Sequence, residues 1–156
     1  MIKTTKIEPS NDKKIKNIKP NCLIIVTHPN CYYCKLLEPT KNQLLKTLNQ
    51  SYSGDLDVLD IHGDSVPSLI DQIPELKEVD GFPTILAKLD SQSPQVYNGD
   101  RSMDSLMKFL KDNFEIKKLT KTSVSKKGGS KSKKSKKSKK SKKSKTKSKK
   151  KNKNKL

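Results

Sequence analysis

The chain has 156 residues and a formal net charge of +19, and all of that charge lies at one end. Residues 121–156 contain nineteen lysines and no acidic residue, whereas residues 1–120 hold 16 basic residues against 16 acidic ones. A segment so rich in lysine cannot bury a core, which leaves about 100–120 residues and thus one domain. The longest apolar run, Cys22–Val26, is five residues long, far shorter than the roughly 20 residues of a membrane span.

The chain begins with charged residues, and no apolar run of signal-peptide length follows them. Three cysteines in such a chain favour a reducing compartment, where paired thiols are more often catalytic or metal-binding than structural. We therefore expect an intracellular protein of the cytoplasm or nucleus. The heavy use of Lys, Asn, Ile and Ser is typical of AT-rich genomes, so a viral particle is a further expected location if the source is a large DNA virus.

Apolar residues show strand-like and helix-like spacing in turn, as far as Phe114. Ile2 and Ile7 fit an edge strand within an N-terminal extension, residues 1–9. The elements predicted after it are a short helix at Lys13–Ile18, a buried strand at Cys22–Thr27, a helix from Tyr33 to Gln50, a loop at Ser51–Asp55, strands at 56–61, Thr84–Leu89 and Gln95–Tyr97, weaker helical signals at Val66–Leu76, and a last helix capped by Ser102. This order predicts an α/β domain with a mixed sheet over residues 10–116 and a disordered tail over residues 117–156.

Two cysteines are spaced to share one turn of a helix. Cys31 falls at the predicted junction of strand and helix, and Cys34 lies three residues later on the same helix face. A helix N-terminus stabilises negative charge, and the thiolate is the form that attacks a disulfide. We therefore predict that Cys31 is the nucleophile and that Cys34, more buried, resolves the mixed disulfide. The spacing alone also fits a metal site or two unrelated cysteines.

Three motifs, in order, resemble the thioredoxin superfamily. Cys31–Pro39 is similar to its CxxCKxxxP pattern, Gly81–Ile85 to its cis-proline segment, and Tyr97–Ser102 to the Y-x-G-x-R-[ST] run near the end of thioredoxin and protein-disulfide-isomerase domains. The resemblance covers Ser10 to Phe114. It implies a thioredoxin-like three-layer α/β/α sandwich with a central mixed sheet, and thiol–disulfide oxidoreduction that needs no cofactor.

The same resemblance implies a place for substrate. The turn at Phe82–Pro83 is expected to be cis and to pack beside the dithiol, with the backbone of Phe82 pairing with the substrate chain. Tyr32 and Tyr33, between the two cysteines, complete the expected substrate-binding residues. The expected partners are protein disulfides and an electron donor or acceptor that the sequence does not identify.

The chain departs from the family at several positions. Thioredoxins usually have Gly-Pro between the cysteines and isomerases Gly-His, whereas glutaredoxins have Pro-Tyr, of which only Tyr33 is present here. Asn30 stands where thioredoxins usually have Trp. A glutathione-dependent, glutaredoxin-like reductase is therefore an alternative, although the cis-proline segment and the Tyr97–Ser102 run favour the thioredoxin and isomerase branches.

Two histidines and a third cysteine have open roles. His28, three residues before Cys31, is a candidate modulator of the thiol pKa if its ring is protonated, or a plain loop residue. Together with His62 and the two cysteines it would make four zinc ligands, an arrangement we do not expect because the cysteines already have a redox role. A cluster bridging two chains is likewise not expected. Cys22 is expected to be an inert buried thiol.

The lysine-rich tail indicates a polyanion as partner. Lys126–Lys155 would bind nucleic acid or another polyanion through release of counterions, with a steep salt dependence. Residues 121–156 contain no arginine and no aromatic residue, so sequence-specific contacts and base stacking are not expected. A tail that only keeps the protein soluble is the simpler interpretation. In a non-enzymatic rival hypothesis, the fold is a scaffold and the tail tethers it to nucleic acid.

The family's buried acid, six residues before the first cysteine, is replaced here by Ile25. Deprotonation of Cys34 would then need water or another group, so we predict slower resolution of the mixed disulfide or a shifted reduction potential. A Cys34 pKa and an insulin-reduction rate equal to those of ordinary thioredoxin would contradict this prediction.

Overall fold

A mixed five-stranded sheet organises the part of the chain that the structure, a computed structural model, describes, residues 2–120. The elements are β1 (Lys3–Ile7), β2 (Cys22–Thr27), α1 (Tyr32–Ser51), β3 (Tyr52–Gly54), β4 (Asp57–His62), α2 (Val66–Leu69), β5 (Thr84–Lys88), β6 (Gln95–Val96), α3 (Met103–Asn113) and β7 (Ile116–Lys118). Short 3-10 turns lie at Asp12–Lys14, Gly63–Ser65 and Pro74–Glu78. The predicted disordered tail lies outside the described residues from residue 121 onward. Its first residues are described, and the prediction is wrong for Lys117 and Lys118, which belong to β7.

The strand order in the sheet is β1-β4-β2-β5-β6. β4 runs parallel to both β1 and β2, while β5 is antiparallel to β2 and β6. In this register Ile25 of β2 stands between Asp60 of β4 and Ile85 of β5. The parallel start and antiparallel end are the mixed sheet that the sequence predicts.

Apolar side chains pack on both faces of the sheet. One core joins the α1 and α3 face and includes Leu23, Ile25, Leu37 and Leu106. The other joins the α2 face and includes Cys22, Ile24 and Val26 of the same strand β2. Successive residues of β2 therefore point to opposite cores, which explains its unbroken apolar run and confirms the three-layer sandwich.

Two predicted local structures differ from the observed ones. The helix expected at Lys13–Ile18 is wrong: only the Asp12–Lys14 turn forms, Ile15 is already extended, and Asn17 has a φ of 60°, which no right-handed helix accepts. Residues 66–76, where helical signals were weak, form only the short α2 and part of a 3-10 turn.

A small second sheet was not predicted. β3 pairs antiparallel with β7 inside the segment expected to be a loop and just beyond α3. At Gly54 an added Cβ would lie 2.6 Å from the carbonyl oxygen of Glu115, so the two backbone segments approach too closely for any other residue. This sheet fastens the end of α1 to the end of α3. No helix among the described residues is long and apolar enough to cross a membrane.

Cys22, fully buried in the central strand, donates its S–H to the carbonyl oxygen of Lys19 at 3.0 Å. Burial raises the pKa of the Cys22 thiol from its ordinary value near 9 to about 12. The folded protein therefore holds this proton more tightly than the unfolded chain does. The contribution of this thiol to the free energy of unfolding is fully present below about pH 9 and is lost as the pH rises toward 12.

We therefore expect the free energy of unfolding of the reduced protein to fall more steeply above pH 9 than that of its Cys22→Ala variant. The reason is that Cys22 ionises when the protein unfolds, which stabilises the unfolded state, and the variant lacks this thiol. Urea unfolding of both proteins at several pH values from 7 to about 11 measures the difference. All other titrating groups are common to the two proteins and act as the internal control. Parallel curves would contradict the prediction.

Candidate active site

The two thiols lie where β2 ends and α1 begins, and both are free. Cys31 is the N-cap residue of α1, and its Sγ accepts the backbone N–H of Cys34 at 3.1 Å. The Cys31 S–H donates to the carbonyl oxygen of Phe82 at 3.3 Å. The sulfur thus lies between an N–H at the start of a 20-residue helix on one side and the cis-proline turn on the other.

Cys34 is the more buried thiol, with 5% of its surface exposed. Its Sγ accepts the backbone N–H of His28 at 3.5 Å. Burial raises the pKa of Cys34 to about 11, the hydrogen bond with Cys31 adds to this rise, and the His28 N–H opposes it. At neutral pH Cys34 is a thiol, so it must lose a proton before it can attack a disulfide.

The peptide bond between Phe82 and Pro83 is cis, as predicted. The Phe82 ring stacks on the His28 ring, with centroids 5.6 Å apart and planes 17° apart. It also covers Gly63, where an added Cβ would lie 2.5 Å from the ring. A side chain at position 63 would therefore displace the Phe82 ring.

His28 contacts both cysteines through its main chain. Its carbonyl oxygen accepts the N–H of Cys31 at 3.1 Å, and its own N–H points at Cys34. Its ring faces Asp64, with Nε2 3.3 Å from the carboxylate, and lies 5.4 Å from the His62 ring. The lowering of the Cys34 pKa that His28 provides comes from its backbone N–H.

The two histidines lie close together, but this does not make a metal site. Within residues 2–120 no group of three or more His, Cys, Asp or Glu side chains is placed to hold a metal ion.

A cleft of about 520 Å³ opens behind Cys34, between the first half of α1 and the ends of β1, β2 and β4. Cys34, Glu38 and Lys41 line it from α1, and Asp60 and His62 line it from β4. Its walls are polar and charged, so water can reach the buried thiol from this side. The cleft is separate from the Phe82 turn, which faces Cys31.

The cleft holds a buried ion pair that sequence reasoning did not find. Lys41 Nζ lies 2.9 and 3.0 Å from the two carboxylate oxygens of Asp60, and both residues are less than 10% exposed. Asp60 is the β4 neighbour of Ile25 in the sheet register. A carboxylate therefore lies beside the position at which the family's acid is missing. The available signals were an aspartate inside an apolar strand and a lysine on the apolar face of a helix.

We expect the Lys41–Asp60 pair to promote deprotonation of Cys34, because Asp60 places a buried carboxylate in the cleft that Cys34 also lines. Removing one partner with Asp60→Asn leaves a buried lysine unpaired and should cost about 3–5 kcal/mol of stability. The double variant Lys41→Met/Asp60→Leu should recover most of that loss. It should still resolve a mixed disulfide at least about tenfold more slowly than the native protein at pH 7.

The second step is measured as release of the second substrate thiol after a mixed disulfide has formed. The difference in this rate between the native protein and the double variant should become smaller as the pH approaches about 11, where Cys34 ionises without assistance. An unchanged rate at pH 7 in the folded double variant would contradict the role.

Comparison with known proteins agrees with this geometry. The thioredoxin family model matches residues 3–112. A mitochondrial thioredoxin domain-containing protein of Schizosaccharomyces pombe is 33% identical over 128 residues, covering 79% of this chain and 34% of that protein. A protein disulfide-isomerase of the same yeast is 33% identical over 101 residues, covering 64% of this chain and 26% of that protein. The chain thus spans about a third or less of these relatives.

Solved structures show the same fold. The J-Trx1 fragment of ERdj5 matches with a TM-score of 0.53 at 21% identity, covering 70% of this chain and 50% of that one. The first two thioredoxin domains of Naumovozyma dairenensis Eps1p match with a TM-score of 0.50 at 19% identity, covering 67% of this chain and 38% of that one. The match of the thioredoxin family model to residues 3–112, together with the dithiol at the start of α1 and the cis-proline turn beside it, shows that the chain belongs to the thioredoxin family.

Proposed function

We propose that the protein is a thiol–disulfide oxidoreductase that acts on protein disulfides through the Cys31–Cys34 pair. The observation that carries this proposal is the position of the Cys31 sulfur, which accepts an N–H at the start of α1 and contacts the carbonyl oxygen of Phe82. The first contact puts the sulfur at the N-terminus of the helix, and the second puts it beside a backbone group that a substrate chain can meet. Relatives of the same family, about 30% identical, support oxidoreductase chemistry in general.

The reaction has two steps. The Cys31 thiolate attacks one sulfur of a substrate disulfide, forming a Cys31–substrate disulfide and releasing the other substrate sulfur as a thiolate that takes up a proton. Cys34 then loses its proton and attacks the Cys31 sulfur, which releases the second substrate thiolate. The substrate gains two electrons and two protons, and the protein is left with a Cys31–Cys34 disulfide. The reverse sequence oxidises a substrate dithiol.

The exposures of the thiols support this assignment of roles. Cys31 is partly exposed and Cys34 is buried, so an external disulfide can reach only the first. After the first step, Cys34 lies one helical turn away from the mixed disulfide and needs no movement of the backbone across the fold.

We further propose that Lys126–Lys155 binds nucleic acid through its phosphates, since the segment is a dense polycation without arginine or aromatic residues. The protein would then be an intracellular redox domain held near a polyanion. Such binding depends on charge alone, so it should be insensitive to base sequence and should weaken steeply with salt.

One pair of variants separates the two activities. Cys31→Ser should abolish insulin reduction and leave salt-sensitive binding to DNA unchanged, whereas deletion of residues 121–156 should do the reverse. Cys34→Ser should accumulate the mixed disulfide with Cys31, detectable by mass, because the second step is blocked. Disulfide reduction that survives Cys31→Ser would refute the enzymatic assignment. DNA binding that survives the deletion would refute the role of the tail.

A further inference from the structure

Exposed apolar surface is concentrated around the dithiol. Six large apolar side chains are exposed among the described residues: Tyr32, Tyr33, Leu36, Phe82, Val96 and Leu119. The first three lie on the first two turns of α1, at 58–68% exposure, with the rings of Tyr32 and Tyr33 5.5 Å apart. Phe82 belongs to the cis-proline turn, and Val96 lines a groove next to that turn. Only Leu119 lies elsewhere, so packing requirements do not explain the pattern.

The groove next to the turn has a basic end. It has a volume of about 250 Å³ and is lined by the cis-proline turn, the edge strand β6 and the loop that carries Arg101. The guanidinium of Arg101 lies 5.7 Å from the centre of the Tyr33 ring, which places it at the border between the groove and the apolar face of α1.

Arg101 has no acidic partner among residues 2–120. Among residues 2–120 no carboxylate lies within ion-pair distance of it, and residues 121–156 contain no acidic side chain. The neighbouring Asp100 carboxylate is already bound to the N–H of Ser102 at 2.8 Å and to the hydroxyl of Ser105 at 2.9 Å. An exposed guanidinium beside Tyr33, which lies between the two cysteines in the sequence, is therefore free to bind an incoming carboxylate.

We propose that these two surfaces select the substrate: an extended polypeptide with a large apolar residue on one side of its reactive cysteine and an acidic residue on the other. The inference rests on the proposed disulfide chemistry at Cys31. The apolar side chain packs on Tyr32, Tyr33 and Leu36, and the acidic side chain enters the groove and pairs with Arg101. The carbonyl oxygen of Phe82, in the turn that lines the groove, lies 3.3 Å from the Cys31 sulfur, so a chain that contacts both surfaces passes close to the nucleophile.

The geometry agrees with what an extended chain can reach. Successive residues of such a chain rise by about 3.3 Å and point to opposite sides. Residues one or two positions from the substrate cysteine therefore lie within reach of surfaces close to Cys31. The charged groups Glu38, Lys41 and Asp60 line the cleft behind Cys34 and take no part in this selection.

The test uses synthetic peptides, each with one internal disulfide between a fluorophore and a quencher. Next to the reactive cysteine they carry Phe or Ser on one side and Glu or Lys on the other, in both orders. For one of the two orders, we expect the full-length protein to reduce the peptide with Phe and Glu with a kcat/KM at least about tenfold higher than that for the peptide with Ser and Lys.

Two variants assign the preference to residues. Arg101→Gln should remove the discrimination between Glu and Lys, and Leu36→Ser should reduce that between Phe and Ser. Each readout is a ratio of two peptides measured on the same protein, so a change in the intrinsic reactivity of the dithiol cancels. Lys108→Gln, on the exposed face of α3, and Leu119→Ser are the matched controls and should keep the native ratios.

The outcomes separate this inference from the function on which it rests. If the protein reduces neither the peptides nor bis(2-hydroxyethyl) disulfide, the proposed function is wrong. If it reduces all peptides at equal rates, the oxidoreductase stands and the selection by these surfaces is refuted. A preference that is present but unchanged in Arg101→Gln and Leu36→Ser would also refute the assignment.

Discussion

The hydrogen bond from the Cys34 N–H to the Cys31 sulfur ties the chemistry of this protein to the start of one helix. It requires β2 to end at Thr27 and α1 to begin at Tyr32, so that the loop between them delivers one sulfur to the helix N-terminus. The rest of the fold maintains this junction. Two cores hold β2 at the centre of the sheet, and the small β3–β7 sheet fastens the far end of α1.

The sequence was informative where one residue type is needed for one geometry. The dithiol spacing, the proline before β5 and the Ser102 cap each predicted their local structure, because few residues can satisfy those positions. The Lys13–Ile18 helix was predicted from spacing alone and did not form, since nothing in a spacing rule records the left-handed turn at Asn17. The short strands β3 and β7 could not be foreseen, because they pair residues far apart in the chain.

The candidate site was predicted in the same uneven way. The thiols and the cis-proline turn follow from motifs, whereas the Lys41–Asp60 pair is a product of the sheet register, which places β4 beside β2. From Ile25 alone the site appeared to lack a buried acid. The fold supplies a carboxylate from the neighbouring strand together with its own counterion, and such a paired charge is far less costly to bury than an isolated one.

The position of Cys22 has a consequence for how the protein can be oxidised. Three thiols can in principle form three different disulfides, and a free third thiol would allow one chain to reach several oxidised forms. Cys22 is fully buried at the start of β2, whereas the other two lie beyond the strand's opposite end, and its high pKa keeps it protonated. Cys31 and Cys34 are therefore the one pair of thiols in the folded chain that are placed to form a disulfide with each other.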